Sequence, residues 1–419
     1  MNELIKQYLI AVCICLISLE VTGQNSYRVS GKISSATTKE PLAFSTINIA
    51  GTSEGVVTNF LGAFEFTFSS KYANDTLFVS MLGFKPKKIA IGGLALSSVM
   101  DIQLKESIVM LEEIEVSEKK LSALEIVTKV IDNIPVNYPD APYLLHGFTR
   151  SHKHECGKYI KLYEADFEVY GVGYHKKTPE KVYVNEARQS EDVPYYHSRV
   201  LRANSNPFNS MGHINDVLFR SYSLNTKSNQ YVIDNYLIDD DDLIYVIKTN
   251  HSKYVTHTMY INSKNYALIK VKMEMTTPEG EEWNPYLNKG ISSDSLDFKV
   301  TQIVKTIQFE RKRDRYYSKY MDWLIKGILS FQESKKEFCD WGFRFETMFN
   351  EIVTKDVTRP SREKLLNFRS QKQPKSTQYN TVFWDTYPLV KEFPITSQII
   401  EDLQINGSLE DQFKKTANK

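Results

Sequence analysis

A chain of 419 residues with 52 basic and 51 acidic side chains carries a formal net charge of +1, and 42% of it is hydrophobic. That balance supplies no concentrated basic face, so a nucleic-acid binder of the usual electrostatic kind is excluded. The length has room for two or three domains.

At the N-terminus Lys6 precedes an uncharged, mostly apolar stretch from Tyr8 to Leu19, followed by Val21-Thr22-Gly23-Gln24. This is the layout of a secretory signal peptide over 1–23. The apolar run falls short of the roughly 20 residues that span a bilayer, so no transmembrane segment is expected in the mature chain. Cys13 and Cys15 lie inside the apolar run and neither follows the small residue of a lipoprotein signal, so no lipid anchor is expected. Losing Lys6, Glu3 and Glu20 with the leader leaves 51 basic against 49 acidic side chains, a net charge of +2. Only Cys156 and Cys339 then remain. Export permits one bridge between them, and two buried free thiols are the alternative.

Residues 27–105 read as short strands: Val29 to Ile33, Ala43 to Ile49, Ala63 to Phe68, Thr76 to Ser80, Lys87 to Ile91 and Val99 to Leu104. Gly51, Gly55, Gly62, Asn74-Asp75, Gly83 and Gly92-Gly93 break them. Strands at this spacing without helices predict an antiparallel sandwich. Val29-Ser30-Gly31-Lys32-Ile33, Pro41-Leu42-Ala43, Thr58-Asn59-Phe60-Leu61-Gly62-Ala63-Phe64 and Ser80-Met81-Leu82-Gly83-Phe84 follow in order. This series resembles the carboxypeptidase regulatory-like domain, which implies a transthyretin-like β-sandwich without catalysis of its own.

A connecting stretch, 106–142, holds an alternating segment Leu111 to Val116, a capping position at Ser117, and a helix with Leu121, Leu124, Val127, Val130, Ile131 and Ile134 on one face. Pro135 is expected to end it. Residues 143–358 are mostly extended. Tyr159 to Val169 and Ile269 to Thr276 alternate with period two, predicting long strands with one buried face. Tyr231 to Leu237, Leu243 to Thr249 and Thr256 to Ile261 read as consecutive antiparallel strands, with Asp239-Asp240-Asp241-Asp242 at the first turn. Glu310-Arg311-Lys312-Arg313-Asp314-Arg315 reads as the solvated end of a strand pair. A curved open sheet or half-barrel and a second sandwich are the two architectures open to this region. Strand lengths favour the sheet, and Tyr260-Ile261-Asn262 to Lys270 is similar to the strand-turn-strand of lipoprotein carriers. Residues 359–419 comprise an exposed connector to Thr377, then an apolar cluster from Phe383 to Phe393 and two short helices around Leu403 and Phe413 that dock on the sheet.

Asn137-Tyr138-Pro139, Gly147-Phe148-Thr149-Arg150, Glu164-Ala165, Phe383-Trp384 and Ser408 to Phe413 resemble a family of exported Bacteroidota proteins of unknown function. Longer relatives there continue into an outer-membrane barrel. This chain ends at Lys419 without barrel hairpins, so the expectation is a protein of the periplasm or one peripherally attached to the outer membrane.

His152, His154 and Cys156 recur at spacing two, which on a strand places all three on one face, with nitrogen and sulfur donors suited to zinc or copper. Polar strand-end side chains, with Cys156 bridged to Cys339, are the plainer reading. His152 to Glu155 also has the His-x-x-Glu spacing of zinc peptidases, without a downstream ligand context. The four aspartates lack the alternation and glycine of a calcium loop. Tyr195-Tyr196 and Tyr316-Tyr317 are candidates for stacking on sugar rings. The sequence therefore predicts a mainly β chain with a non-enzymatic binding or assembly role at the envelope. Its expected partners are an envelope protein, a hydrophobic or lipid ligand, or a glycan, and no cofactor is expected. A metal-dependent hydrolase centred on His152, His154 and Cys156 and a carbohydrate-binding module are the alternatives.

Overall fold

Strand β1 (Ser26–Ser35) pairs antiparallel with β4 (Ala63–Ser69) and parallel with β7 (Ser97–Leu104). A second sheet runs β3 (Gly55–Val57), β2 (Thr46–Ile49), β5 (Thr76–Ser80), β6 (Lys87–Ala90), antiparallel throughout. Val29, Ile33, Ile47, Phe64, Phe66 and Val79 from both sheets share one core, which makes this unit a β-sandwich. The turn into β4 explains its motif. Asn59 Oδ1 accepts from the backbone N–H groups of Leu61 and Ala63, 3.0 Å each. Gly62 sits at φ +71°, where a Cβ would stand 2.3 Å from the Ile33 carbonyl oxygen, so only glycine fits. Strand β3 was not legible in the sequence, because three residues with one buried side chain, Val56, carry too little alternation.

The computed structural model describes residues 26–52, 54–107, 121–173, 180–191, 208, 222–227, 230–239, 242–249, 252–277, 291–293, 296–366, 378–387 and 395–417. Residues 1–23, read from the sequence as a leader, the Leu111–Val116 segment and Ser117 lie outside them. The chain divides into two units, the sandwich within Met1–Glu106 and a larger one built from Ser107–Leu389 and Ile395–Lys419.

The larger unit is one 11-stranded antiparallel sheet, not a second sandwich. Its order is β10 (Lys181–Gln189), β9 (Lys158–Gly171), β8 (Tyr143–Glu155), β18 (Glu337–Val353), β17 (Arg315–Phe331), β16 (Leu296–Lys312), β14 (Leu268–Thr276), β13 (Val255–Asn262), β12 (Asp242–Thr249) and β11 (Tyr231–Asp239), with β15 (Ile291–Ser293) paired to β16. Edges β10 and β11 do not pair with each other, so the sheet is open. Alternation gives it two faces.

On one face lies α1 (Ala123–Asn137). Its cap is Ser122, whose Oγ accepts from Glu125 N–H (3.2 Å) while Glu125 Oε2 accepts from Ser122 N–H (2.7 Å), a capping box. Pro135 does not end the helix but sits in its last turn, where it forfeits one backbone bond; Tyr138 N–H still donates to the Ile134 carbonyl (3.1 Å). Arg315 Nη1 donates to the carbonyls of Pro135 (2.6 Å), Val136 and Tyr138 (3.1 Å), so the basic hairpin end also serves as a helix C-cap. Ile126, Val127, Val130 and Ile134 pack with Leu145, Phe167, Met259, Ile307 and Phe349. Burial of each such side chain contributes roughly 1.5–3 kcal/mol against about 1 kcal/mol for a cap, so the apolar stripe fixes the helix. Gly147 makes room beneath it, since a Cβ there would lie 2.7 Å from the Phe167 ring.

The opposite face of β8 to β10 carries the C-terminal segment, with α2 (Thr381–Thr386), α3 (Ser397–Leu403) and α4 (Leu409–Ala417). Beneath it Glu164, fully buried, is held by Arg150 (Nε and Nη2, 2.6 Å each) and Arg188 (Nε 2.7 Å, Nη2 2.6 Å). The Arg188 guanidinium lies 4.3 Å from the Trp384 ring centroid and 4.7 Å from that of Phe413. Tyr387 Oη donates to Asp166 (2.7 Å) and Thr416 Oγ1 to the Gln189 carbonyl (2.7 Å). Part of the segment read as an exposed connector is also fixed: Leu365 bridges to Tyr183, and Leu366 N–H donates to the Val182 carbonyl (2.9 Å) along the β10 edge. Such runs lack periodicity because the edge strand supplies their hydrogen bonds.

Glu164→Leu removes the carboxylate that binds two buried guanidinium groups at once, and urea unfolding is expected to lose roughly 3–5 kcal/mol; a loss below about 1 kcal/mol would show that the network does not hold the fold. Cys156 and Cys339, 183 residues apart in the chain, form a disulfide. Replacing both by serine is expected to cost roughly 2–5 kcal/mol, with dithiothreitol lowering the wild-type Tm to that of the double variant and leaving the variant unmoved.

Candidate functional site

Strand register orders the α1-bearing face into transverse rows. Ala165, Thr149, Thr347, Met321, Ile307 and Val271 form the row nearest the helix, small and aliphatic. The next holds Tyr163, Ser151, Phe345, Trp323, Lys305 and Met273. Beyond it come Lys161, Lys153, Phe343, Ile325, Ile303 and Met275. Aromatic rings thus gather on β17 and β18. Trp341 meets Phe343 at 5.5 Å, Phe343 stacks on Phe345 at 6.4 Å, and Phe345 meets Trp323 at 5.6 Å. Cations border them, with Lys153 Nζ 5.5 Å from the Phe343 centroid and Lys305 Nζ 5.8 Å from that of Trp323. None of these four aromatics belongs to the core cluster that α1 closes. Sequence reading missed the group because each member sits in its own alternating run; only the order β8-β18-β17-β16 makes them neighbours.

The histidine and cysteine constellation does not assemble. His152, 4% exposed, lies on the face bearing the C-terminal segment, its ring edge-on to Tyr159 at 5.1 Å. His154 shares that face, with Nε2 3.2 Å from Asp340 Oδ2. Cys156 is beyond the end of β8, in a turn at φ +51°, where strand parity no longer applies, and its sulfur is bonded to Cys339. Glu155 and His152 stand on opposite faces, so the His-x-x-Glu spacing cannot grip one ion. Among the described residues no three His, Cys, Asp or Glu side chains converge on a metal position. Asp242 of the aspartate run accepts from Asn262 (2.6 Å) and pairs with Lys264, whose hydrogen bond holds its carboxyl below the usual range; Asp240 and Asp241 lie outside the described residues. Tyr316 and Tyr317 are buried against Tyr138 and Tyr143 and present no ring to a sugar; Tyr195 and Tyr196 lie outside the described residues.

Burial, followed by the charges of Arg344, His154 and Arg150, pushes the His152 pKa well below the ordinary histidine value. Burial lowers that of His154 also, against the pull of Asp340. A histidine whose folded pKa lies below its unfolded value of about 6.5 stays neutral in the fold. Its contribution to stability is intact above that value and declines as pH falls beneath it. Urea unfolding between pH 6.5 and 5 is therefore expected to lose up to about 1.4 kcal/mol per pH unit for each such group. His152→Gln is expected to flatten the slope; an unchanged slope would assign the acid sensitivity elsewhere.

Among the described residues no helix is long and apolar enough to cross a membrane. No curated protein sequence matches the chain. Among solved structures, a domain described as an outer-membrane lipoprotein-sorting protein from Vibrio parahaemolyticus is similar at 10% identity and TM-score 0.28, over 56% of this chain and 94% of that one. A LolA superfamily protein from Nitrosomonas europaea matches at 10% identity and TM-score 0.23, over 57% and 96%. A DUF1329 family protein from Desulfovibrio piger matches at 6% and 0.26, over 57% and 96%. At those identities and scores nothing about the activity of this chain follows from them. The sandwich is different, because a family model matches it directly. Residues 29–116 are a CarboxypepD_reg-like domain.

Proposed function

We propose that the chain is a non-catalytic binding protein of the cell envelope, holding a hydrophobic ligand against the α1-bearing face of its large sheet. The observation that carries this reading is the contiguous series Trp341, Phe343, Phe345 and Trp323, outside the core cluster of α1. Trp341, Phe343 and Phe345 are each less than one-tenth exposed, so a ligand would enter an enclosed site among them, and ligand sites are lined chiefly by rigid apolar groups of this kind with a few polar ones between them. The leader-like residues 1–23 and the Cys156–Cys339 bridge suit an exported protein in an oxidising compartment. Burial of Tyr316 and Tyr317 weighs against the glycan reading, and bonding of the Cys156 sulfur against the metal hydrolase.

Titration of the mature protein with 1-N-phenylnaphthylamine, an uncharged apolar fluorophore, is expected to give saturable enhancement. Phe343→Ala with Phe345→Ala should weaken it by roughly tenfold or more, equivalent to about 1.4 kcal/mol, in protein whose circular dichroism is unchanged. Absence of saturable binding, or binding indifferent to the two substitutions, would discard the site.

A further inference from the structure

Val271, Met259 and Ile307 pack toward α1, so alternation turns their neighbours Lys270, Tyr260 and Gln308 to the other face of the sheet. Lys270 of β14 lies between the other two, opposite Gln308 of β16 on one side and Tyr260 of β13 on the other. Neither is charged. The Lys270 Nζ is 5.2 Å from the Tyr260 ring centroid, and the residue is only partly buried, so a small molecule can reach the amine.

Carboxylates in this part of the sheet are taken by other lysines. Glu274, on the same face of β14, pairs with Lys272 (2.8 Å), and Glu310 of β16 with Lys319 (2.9 Å). Asp234 of β11 pairs with Lys248 (2.9 Å). Lys270 makes no ion pair among the described residues.

A lysine keeps its proton because water and any nearby carboxylate favour the cation. Lys270 has lost part of the first and lacks the second, while Lys272 adds a like charge two residues along the strand. Burial, followed by that charge, pushes the amine down to about 8, although the aromatic ring attracts the cation. Tyr260 and Tyr320, the phenols of this row, are both pushed up by burial, so neither supplies an anion that would draw the proton back. At pH 7 on the order of a hundredfold more of such an amine is neutral than of an ordinary lysine. The neutral amine is the nucleophile.

We propose that Lys270 is a covalent capture site for aldehydes, on the face opposite the aromatic series and independent of it. The Nζ lone pair adds to the carbonyl carbon, the carbonyl oxygen leaves as water with both nitrogen protons, and a C=N bond forms. A proton from solvent turns this imine into an iminium cation, which the Tyr260 ring faces as it faced the ammonium.

The experiment is reaction of the mature protein with hexanal and sodium cyanoborohydride, whose hydride converts the iminium into a stable secondary amine, with the alkylated lysines read by peptide mass mapping. At pH 7 Lys270 is expected to be alkylated at least roughly tenfold faster than exposed lysines such as Lys88, since part of its advantage in neutral amine is offset by lower basicity. Its rate should level off above a midpoint near pH 8, where that of the exposed lysines still rises, and the preference should vanish in protein unfolded by urea. Alkylation of Lys270 at the pace of the exposed lysines, a midpoint in the ordinary lysine range, or a preference that persists in urea would each overturn the assignment.

Discussion

The pairing of β8 with β18 is the constraint on which the larger unit depends. Strand order places β10, β9 and β8 on one side of that seam and every other strand on the far side. Both faces are assembled across it. Ser151 meets Phe345 there on one face, and Arg150 meets Glu346 on the other. The disulfide from Cys156 to Cys339 lies at the end of the same seam, so the covalent link and the hydrogen-bond ladder fix one register.

With the register set, the two faces take different chemistry. The α1-bearing face is sealed at one end by an aliphatic stripe and by Tyr138, whose hydroxyl donates to the Leu268 carbonyl (2.6 Å). The aromatic series lies on the continuation of that face. The opposite face buries charge instead. Burial alone would raise the Glu164 pKa, and Arg188 and Arg150 more than reverse this, so the carboxylate stays ionised beneath the C-terminal helices. A buried ion pair of this kind adds little net stability relative to apolar packing. What it adds is geometry: the Arg188 guanidinium is held against both the Trp384 and the Phe413 rings, which sets where the C-terminal segment docks.

What was legible in the sequence was local. Alternation from Tyr159 to Val169 reports its own strand, and the Asn59-to-Phe64 motif reports its own turn, because the forces that shape them act within a few residues. The helix was read with Val127, Val130 and Ile134 on its buried face, but Leu124 and Ile131 are exposed and Ala123 and Ile126 are buried instead, and Ser122 as cap was missed although Glu125 three residues later marked it. His152, His154 and Cys156 were misjudged as one face because the run of alternate polar residues continues into a turn. Gly157, at φ +74°, was the available signal that the strand had ended. The Arg150–Glu164–Arg188 network spans sequence separations of 14 and 24 residues, and the Tyr163-to-Met273 row spans six strands. Neither leaves a trace in spacing, since both exist only once strand order is known.

The seam between β8 and β18 also dictates when the molecule can be finished. A chain made from the N-terminus can close the β8-β9-β10 hairpins early, yet the partner of β8 is among the last strands to arrive. Until then β8 presents a long row of unsatisfied backbone groups, the kind of edge that recruits another chain. Pairings so distant in sequence are slow to form. Yield of folded protein therefore depends on how long this half-built sheet must be kept from its neighbours, and protection during that interval matters as much as the stability of the finished fold.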